Sequence, residues 1–232
     1  MMQNIWRIAW KASLAVVVLF VIYQIWLLCH VLYLIDHNPH SSAFMENRLE
    51  ILQDKNPKSQ LQHRWVPYSQ ISNHLKRAII AAEDAKFIEH DGFDWDGLQK
   101  AYNKNIKKGK IVAGGSTISQ QLSKNLFLSG SRSPWRKAQE ALITVMIEQL
   151  MSKRRILEIY LNIIEWGNGI FGAEAAAQHY FNISAKNITA YQAAQLATIV
   201  PNPRFYDAHR NTRWVTQRIE ILSGRMNSAQ IP

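Results

Sequence analysis

The chain has a single cysteine, Cys29, in 232 residues. One thiol closes no intramolecular disulfide and completes no cysteine-based zinc pattern. Acidic residues are also scarce, 17 against 27 Lys and Arg, which leaves a formal net charge of +10 and a pI near 9.8. Such an excess suits nucleic acid, an anionic membrane surface or a phosphate-bearing substrate. No basic run exceeds a few residues and no nucleic-acid-binding pattern is present, so nucleic acid is the weakest of the three and is not expected as a partner. Internal repeats are lacking, as is strand-like alternation of useful length, and the fold is expected to be mainly α.

The chain does have 47% hydrophobic residues, enough for one globular domain and an additional element. That element is Ala12 to Ile35, a run of 24 residues without a charge. As a helix it extends about 36 Å, sufficient to span a bilayer with some tilt. Trp6, Trp10, Trp26 and Tyr33 partly match interfacial aromatic belts. The run is longer than the apolar core of a cleaved signal peptide, and no small-x-small site follows it, so an uncleaved anchor is expected. Arg7 and Lys11 precede the span and Asp36 follows it, which predicts a cytoplasmic tail at 1–11, a transmembrane helix at 12–35 and the rest of the chain outside. Residues 36–64, polar and containing Pro39 and Pro57, read as a juxtamembrane linker, partly helical around Met45 to Leu52, with the globular domain at 65–232.

Helix signals dominate that domain. Ser69 or Ser72 caps a helix through Leu75, Ala78, Ile79 and Ala82. Asp94 to Lys108 reads as a basic helix ended by Gly109. Thr117 with Gln120, and Thr189 with Gln192, have the spacing of capping boxes. Ser133-Pro134 opens a long helix, and Ser152 opens KRRILEIYLNII. Phe171 to Phe181 and Ala208 to Met226 complete the set.

Three groups of residues carry chemistry. Glu83, Phe87 and His90, at spacings of four and three, share one face if the helix continues, and a glutamate at an apolar helix end has its pKa raised toward that of a useful base. The bland alternative is a surface glutamate paired with Lys86 or Lys76. Asp84, about 100° around, faces elsewhere and is expected to hold structure. The second group follows Gly114-Gly115. Ser116 and Thr117 have no base at an evident local spacing, so they read as capping and phosphate- or sugar-binding hydroxyls, with Gln120 and Gln121 beside them for sugar hydroxyls. Third, Arg136, Lys137 and Glu140 share a helix behind a loop containing Arg132. With Lys124 these give four cations able to converge on one anionic group such as a pyrophosphate, although Arg136 and Glu140 alone form a common i,i+4 surface pair. Gly167-x-Gly169-x-x-Gly172 follows no strand pattern and reads as structural, not as a dinucleotide fingerprint.

Taken in order and spacing, EDAKFIEHDGFD, GGSTISQQLSKNLF, RKAQEALITVMIEQ, KRRILEIYLN and GNGIFGAEAAAQHYF resemble the bacterial peptidoglycan glycosyltransferases. That family comprises the glycosyltransferase domain of bifunctional penicillin-binding proteins and the monofunctional biosynthetic enzymes. The resemblance covers roughly Trp65 to Pro203 and departs mildly at Ser119, Ser123 and Ile170-Phe171. With no Ser-x-x-Lys and no Lys-Thr-Gly motif, the monofunctional form is expected.

The resemblance implies a lysozyme-like α lobe with a smaller flexible membrane-proximal lobe, preceded by one transmembrane helix. It implies polymerisation of lipid II into glycan strands, with β-1,4 bonds formed by inversion and polyprenyl pyrophosphate released. The partners it implies are lipid II, the growing polyprenyl-linked glycan, the inner membrane and cell-wall synthases or divisome proteins, with the catalytic domain in the periplasm. Glu83 is the expected base and Glu140 the second catalytic glutamate. Lys124, Arg132, Arg136, Lys137, Ser116, Thr117, Gln120, Gln121 and His90 are the expected substrate-binding residues. A divalent cation, Mg²⁺ or Mn²⁺, is expected on the pyrophosphate near Glu140, and no organic cofactor. The competing expectations are a lytic transglycosylase or muramidase, which has no pyrophosphate to bind, and a catalytically dead membrane scaffold, which would have lost Glu83, Lys137 or Glu140.

Overall fold

The computed structural model describes residues 2–110, 114–128, 130, 133–209 and 212–232. It divides into two units, Met1–Asn38 and Pro39–Pro232. The first unit is one helix, α1 (Met2–Asp36), which contains the 12–35 run and continues beyond it at both ends. From Trp6 to Asp36 it is long and apolar enough to cross a membrane, by length and composition.

The second unit corrects the expectation of a linker at 36–64, because folded structure begins well before Trp65. Ser42 accepts a hydrogen bond from Met45 N–H and starts α2 (Ala43–Lys55), whose Met45 is buried. Farther on, β1 (Gln62–His63) enters a sheet. The helix expected around Met45 to Leu52 is present as α2, while β1 depends on a distant partner, β3, and was not revealed by the sequence pattern.

The helices that follow begin where the sequence places caps, each worth about 1 kcal/mol. Ser72 caps α3 (Asn73–Glu83), Asp94 caps α4 (Trp95–Lys108), and Gly109 ends α4 at a left-handed φ of 61°. Thr117 and Gln120 form the complete capping box of α5 (Ile118–Phe127). Ser133 caps α6 (Pro134–Leu150) with proline in its first turn, and Ser152 caps α7 (Lys153–Ile163).

Two short strands, β2 (Glu165–Gly167) and β3 (Ile170–Phe171), then precede α8 (Ala173–Phe181). The chain closes with α9 (Ala190–Ile199), α10 (Pro203–Ala208) and α11 (Arg213–Arg225). The expected Ala208–Met226 helix therefore starts later, at Arg213, where Thr212 provides the cap.

α5 packs against both α6 and α7, while α3 packs on α9 and α9 on α11. Leu75, Ile79, Leu122, Ile143, Ile156 and Ala194 are fully buried along these contacts. Each large aliphatic among them contributes about 1.5–3 kcal/mol of transfer free energy. The sheet has order β1-β3-β2, with β1 parallel and β2 antiparallel to β3. Gly172 follows it at φ 84°, and a Cβ there would lie 2.7 Å from the carbonyl oxygen of Asn162. That glycine is required by close backbone approach, in keeping with a structural reading of the Gly-rich segment.

Candidate active site

The site forms where the end of α3 meets the start of α5. Helix α3 stops at Glu83 because Asp84 leaves the helical region, at φ −161° and ψ 75°. The expected single helical face of Glu83, Phe87 and His90 is therefore not formed. Instead the chain turns, Phe87 is buried, and His90 folds back so that its Nε2 lies 2.9 Å from Asp84 Oδ1. Nδ1 of His90 accepts from Gly92 N–H at 3.0 Å, which leaves Nε2 as the nitrogen that donates to Asp84. Asp84 Oδ2 accepts from Ile118 N–H at 3.0 Å, one of the orphan donors of α5. Asp84 thus has the structural role expected of it. His90, expected at the substrate, has both ring nitrogens engaged within the fold.

With this turn set, the Glu83 carboxyl is closely surrounded while the residue keeps some accessible surface on a cleft of about 170 Å³, lined also by Asp94, Gly114 and Ser116. Burial pushes its pKa above the ordinary carboxylate range. A hydrogen bond from Gln121 and the charges of Arg218 and Lys124 oppose that shift, while Asp84 adds to it. Gln121 Nε2 donates to Glu83 Oε2 at 2.8 Å, and Tyr160 Oη donates to Gln121 Oε1 at 2.9 Å. Tyr160 is fully buried, and burial raises its own pKa well above normal, so the phenol stays a donor. The amide of Gln121 is thereby oriented with its NH₂ toward Glu83.

The second glutamate has a different setting. Glu140, on α6 and buried, takes Arg136 Nη1 on Oε2 at 2.7 Å and Lys137 Nζ on Oε1. Lys137 is about half exposed and lies 3.5 Å from Ser116 Oγ. Lys124, in the last turn of α5, is in no ion pair among the described residues. Burial lowers its pKa, with Glu140 the nearest opposing influence. It lines a cavity of about 300 Å³ with Gln121, Asn125, Tyr160, Asn202 and Arg204. A half-buried cation facing a cavity is a place for an anion.

The fold thus brings Glu83, Gln121, Lys124, Arg136, Lys137, Glu140 and Ser116 into one region. The capping box expected of Thr117 and Gln120 is formed. The Thr117 hydroxyl donates to Gly92 O at 2.7 Å and accepts from Gln120 N–H, while Gln120 Oε1 accepts from Thr117 N–H at 3.0 Å. Both are buried, with their oxygens committed to capping and to the 92 turn. Arg132 lies outside the described residues.

Sequence reasoning missed Tyr160, Asn125, Glu165 and Arg204 as cavity residues and Arg218 as a charge felt by Glu83. The YLN segment was a signal for Tyr160. None existed for Arg218, which arrives from a helix 135 positions later in the chain (218 − 83).

Comparison with known proteins gives the family. The transglycosylase family model matches residues 49–227, and the chain belongs to that family. It is 60% identical over 226 residues to a protein of Methylobacillus flagellatus, covering 97% of this chain and 99% of that one. It is 61% identical over 223 residues to one from Nitrosospira multiformis, covering 96% and 97%. A protein of Thiobacillus denitrificans matches at 55% identity over the full length of both. All three are named biosynthetic peptidoglycan transglycosylase. The family match begins inside α2, consistent with folded structure ahead of Trp65.

Proposed function

We propose that this chain is a peptidoglycan glycosyltransferase that polymerises lipid II, with Glu83 as the general base. Its relatives' shared name and the family match support the activity. The observation that carries the mechanism is the Glu83 carboxyl, desolvated and hydrogen-bonded by Gln121, with half-buried Lys124 on the same cavity wall as Gln121.

Glu83 takes the proton of the acceptor 4-hydroxyl as that oxygen attacks the anomeric carbon of the donor. The bond from that carbon to pyrophosphate oxygen breaks on the opposite face, giving a β-1,4 linkage with inversion. The leaving group departs with its electron pair, and fixed cations stabilise the charge that develops on it. Lys124, Arg136 and Lys137 supply them, joined by Arg132, while Glu140 keeps Arg136 and Lys137 in place.

Both oxygens of Glu140 are already taken by cations, and no group of three or more His, Cys, Asp or Glu able to hold a metal occurs among the described residues. The residues present therefore do not fit a metal held by the protein. Any Mg²⁺ or Mn²⁺ would be carried by the substrate's own phosphate oxygens, and no step depends on it here.

Helix α1 anchors the chain once in the inner membrane. Arg7 and Lys11 ahead of the apolar run put its N-terminus in the cytoplasm and the second unit in the periplasm. Cell-wall synthases or divisome proteins are the partners expected there.

The deciding experiment incubates purified protein in detergent with fluorescent lipid II and Mg²⁺, for wild type and Glu83→Gln. Muramidase-digestible polymer from wild type alone is the expected result. Cleavage of pre-formed strands without synthesis would replace this reading with a lytic one.

A further inference from the structure

The cavity that Lys124 lines has a second cation on its wall, Arg204, and among its described lining residues one carboxylate, Glu165. Arg204 comes from α10 and Glu165 from β2, whose three residues are all buried. They meet with Arg204 Nε 3.4 Å from Glu165 Oε2. A carboxylate on the wall of an anion-binding cavity repels the ligand, so its presence there calls for a physical account.

The two oxygens of Glu165 are held unequally. On Oε1, Arg48 Nε from α2 lies 3.2 Å away and Gly169 N–H donates at 3.3 Å. Arg48 is largely buried, and its Nη2 also donates to Asn168 Oδ1, so this side of the carboxylate is fixed in the fold. On Oε2 sits Arg204, whose side chain is 49% exposed. The contrast is with Arg136 on Glu140, a pair at 2.7 Å with the arginine 16% exposed. The Arg204 pair is longer and wetter, and pairs of that kind are weak. Burial raises the pKa of Glu165, and Arg204 is the largest of the influences opposing it. The charge of this carboxylate therefore leans most on the looser of its two arginines.

We propose that Glu165 is a positioning residue that acts through Arg204. It pairs with Arg204 in the free protein, gives it up to the anion on Lys124 when substrate is bound, and reclaims it as the pyrophosphate product leaves. The proposal rests on the reading of Lys124 as a cation for pyrophosphate. Held by Arg48 and Gly169, Glu165 cannot follow Arg204 and remains a fixed competitor for it. An arginine without an acidic neighbour would hold substrate and product more tightly alike, and such uniform binding does not speed turnover.

The test uses the full chain in detergent, with lipid II as substrate and polyprenyl pyrophosphate, the released product, as inhibitor. Glu165→Gln keeps the size of the side chain and removes its charge. Arg204 is then unpaired before substrate arrives, so KM for lipid II and Ki for the product should both fall about fivefold, the scale of one partly exposed ion pair. Arg204→Gln should raise both by about the same factor. Adding Glu165→Gln to it should move neither constant further, because the competition has lost its object. A residue that only holds the fold would leave KM and Ki where they are, or raise them.

Unchanged or raised KM and Ki in a Glu165→Gln protein that melts like wild type overturns the proposal. So does a fall of the same size in the Arg204→Gln background. A fall in KM without a fall in Ki also overturns it, because Arg204 would then grip some other anion of the substrate. Should Glu165→Gln melt early through loss of the Arg48 pair, Arg204→Gln, at a half-exposed position, decides, and unaltered KM and Ki there sink the idea. Wild type that makes no polymer would remove the polymerase reading, and with it this proposal, a result distinct from shifted constants in an active enzyme.

Discussion

Two glutamates line the same region and are treated in opposite ways by their surroundings. Glu140 has both carboxylate oxygens on cations, one of them Arg136 at 2.7 Å. Glu83 has an amide as its hydrogen-bond partner, and its pKa is raised by burial. A carboxylate held by two cations is a firm anchor for them. A desolvated carboxyl with one neutral donor accepts a proton readily. Charge type and position along the chain do not separate the two residues. Their neighbours do.

The sharpest break in this comparison is Glu83→Gln, which keeps size and hydrogen bonding and removes the base. Polymer synthesis should fall by about 10³-fold, measured as initial rate with lipid II. Substrate binding should change little. The same variant should melt at a higher temperature at neutral pH. A carboxyl whose folded pKa lies above its unfolded value contributes stability that is fully present below the unfolded pKa and is lost as pH rises through the folded pKa. Loss of stability instead would mean that the buried carboxyl is not a strained base.

Next in size is Lys124→Met, which removes the cavity cation without opening a hole. It should reduce kcat/KM by about 10²-fold through lost charge stabilisation. An equal loss for Lys124→Arg would place the residue in substrate geometry more than in charge.

Glu140→Gln leaves Arg136 and Lys137 without their shared anchor. It should lower kcat/KM about tenfold or more and cost about 2 kcal/mol of stability, since Lys137 remains half in water. Its pH profile should keep the wild-type shape. A shifted acid limb in this variant, with none in variants near Glu83, would exchange the roles assigned to the two glutamates.

The smallest effects act through the amide. Activity needs ionised Glu83, so it is present above the folded pKa and lost as pH falls through it. Gln121 donates to the carboxylate and holds that pKa down. Gln121→Ala should therefore move the acid limb of kcat/KM to higher pH. Tyr160→Phe, which only frees the Gln121 amide to rotate, should move it the same way by less.

Much of this was legible in advance because it is local. Ser72, Asp94, Thr117, Ser133 and Ser152 begin helices by accepting from backbone N–H groups two or three residues on. Both partners of each cap lie within one sequence window. The pairing of Arg136 and Lys137 with Glu140 is helical geometry of the same kind. The uncharged run in α1 is read by length alone.

What tertiary structure decided is where those pieces meet. The sequence pattern carried α3 on to His90, yet Asp84 breaks it because its carboxylate gains both His90 and the Ile118 N–H, the latter 34 residues away. Spacing made Thr117, Gln120 and His90 candidates for substrate, but the Thr117 hydroxyl, the Gln120 side-chain oxygen and both His90 ring nitrogens are bonded within the fold. The raised pKa of Glu83 arises from burial and is opposed by Gln121 and the α11 residue Arg218, neither of them its neighbour in sequence. Local sequence alone specified the long apolar helix, most helix starts and the residue types of the site. Which carboxyl is base and which is anchor was set by desolvation and charge pairing, properties that exist only once distant segments share one dry interior.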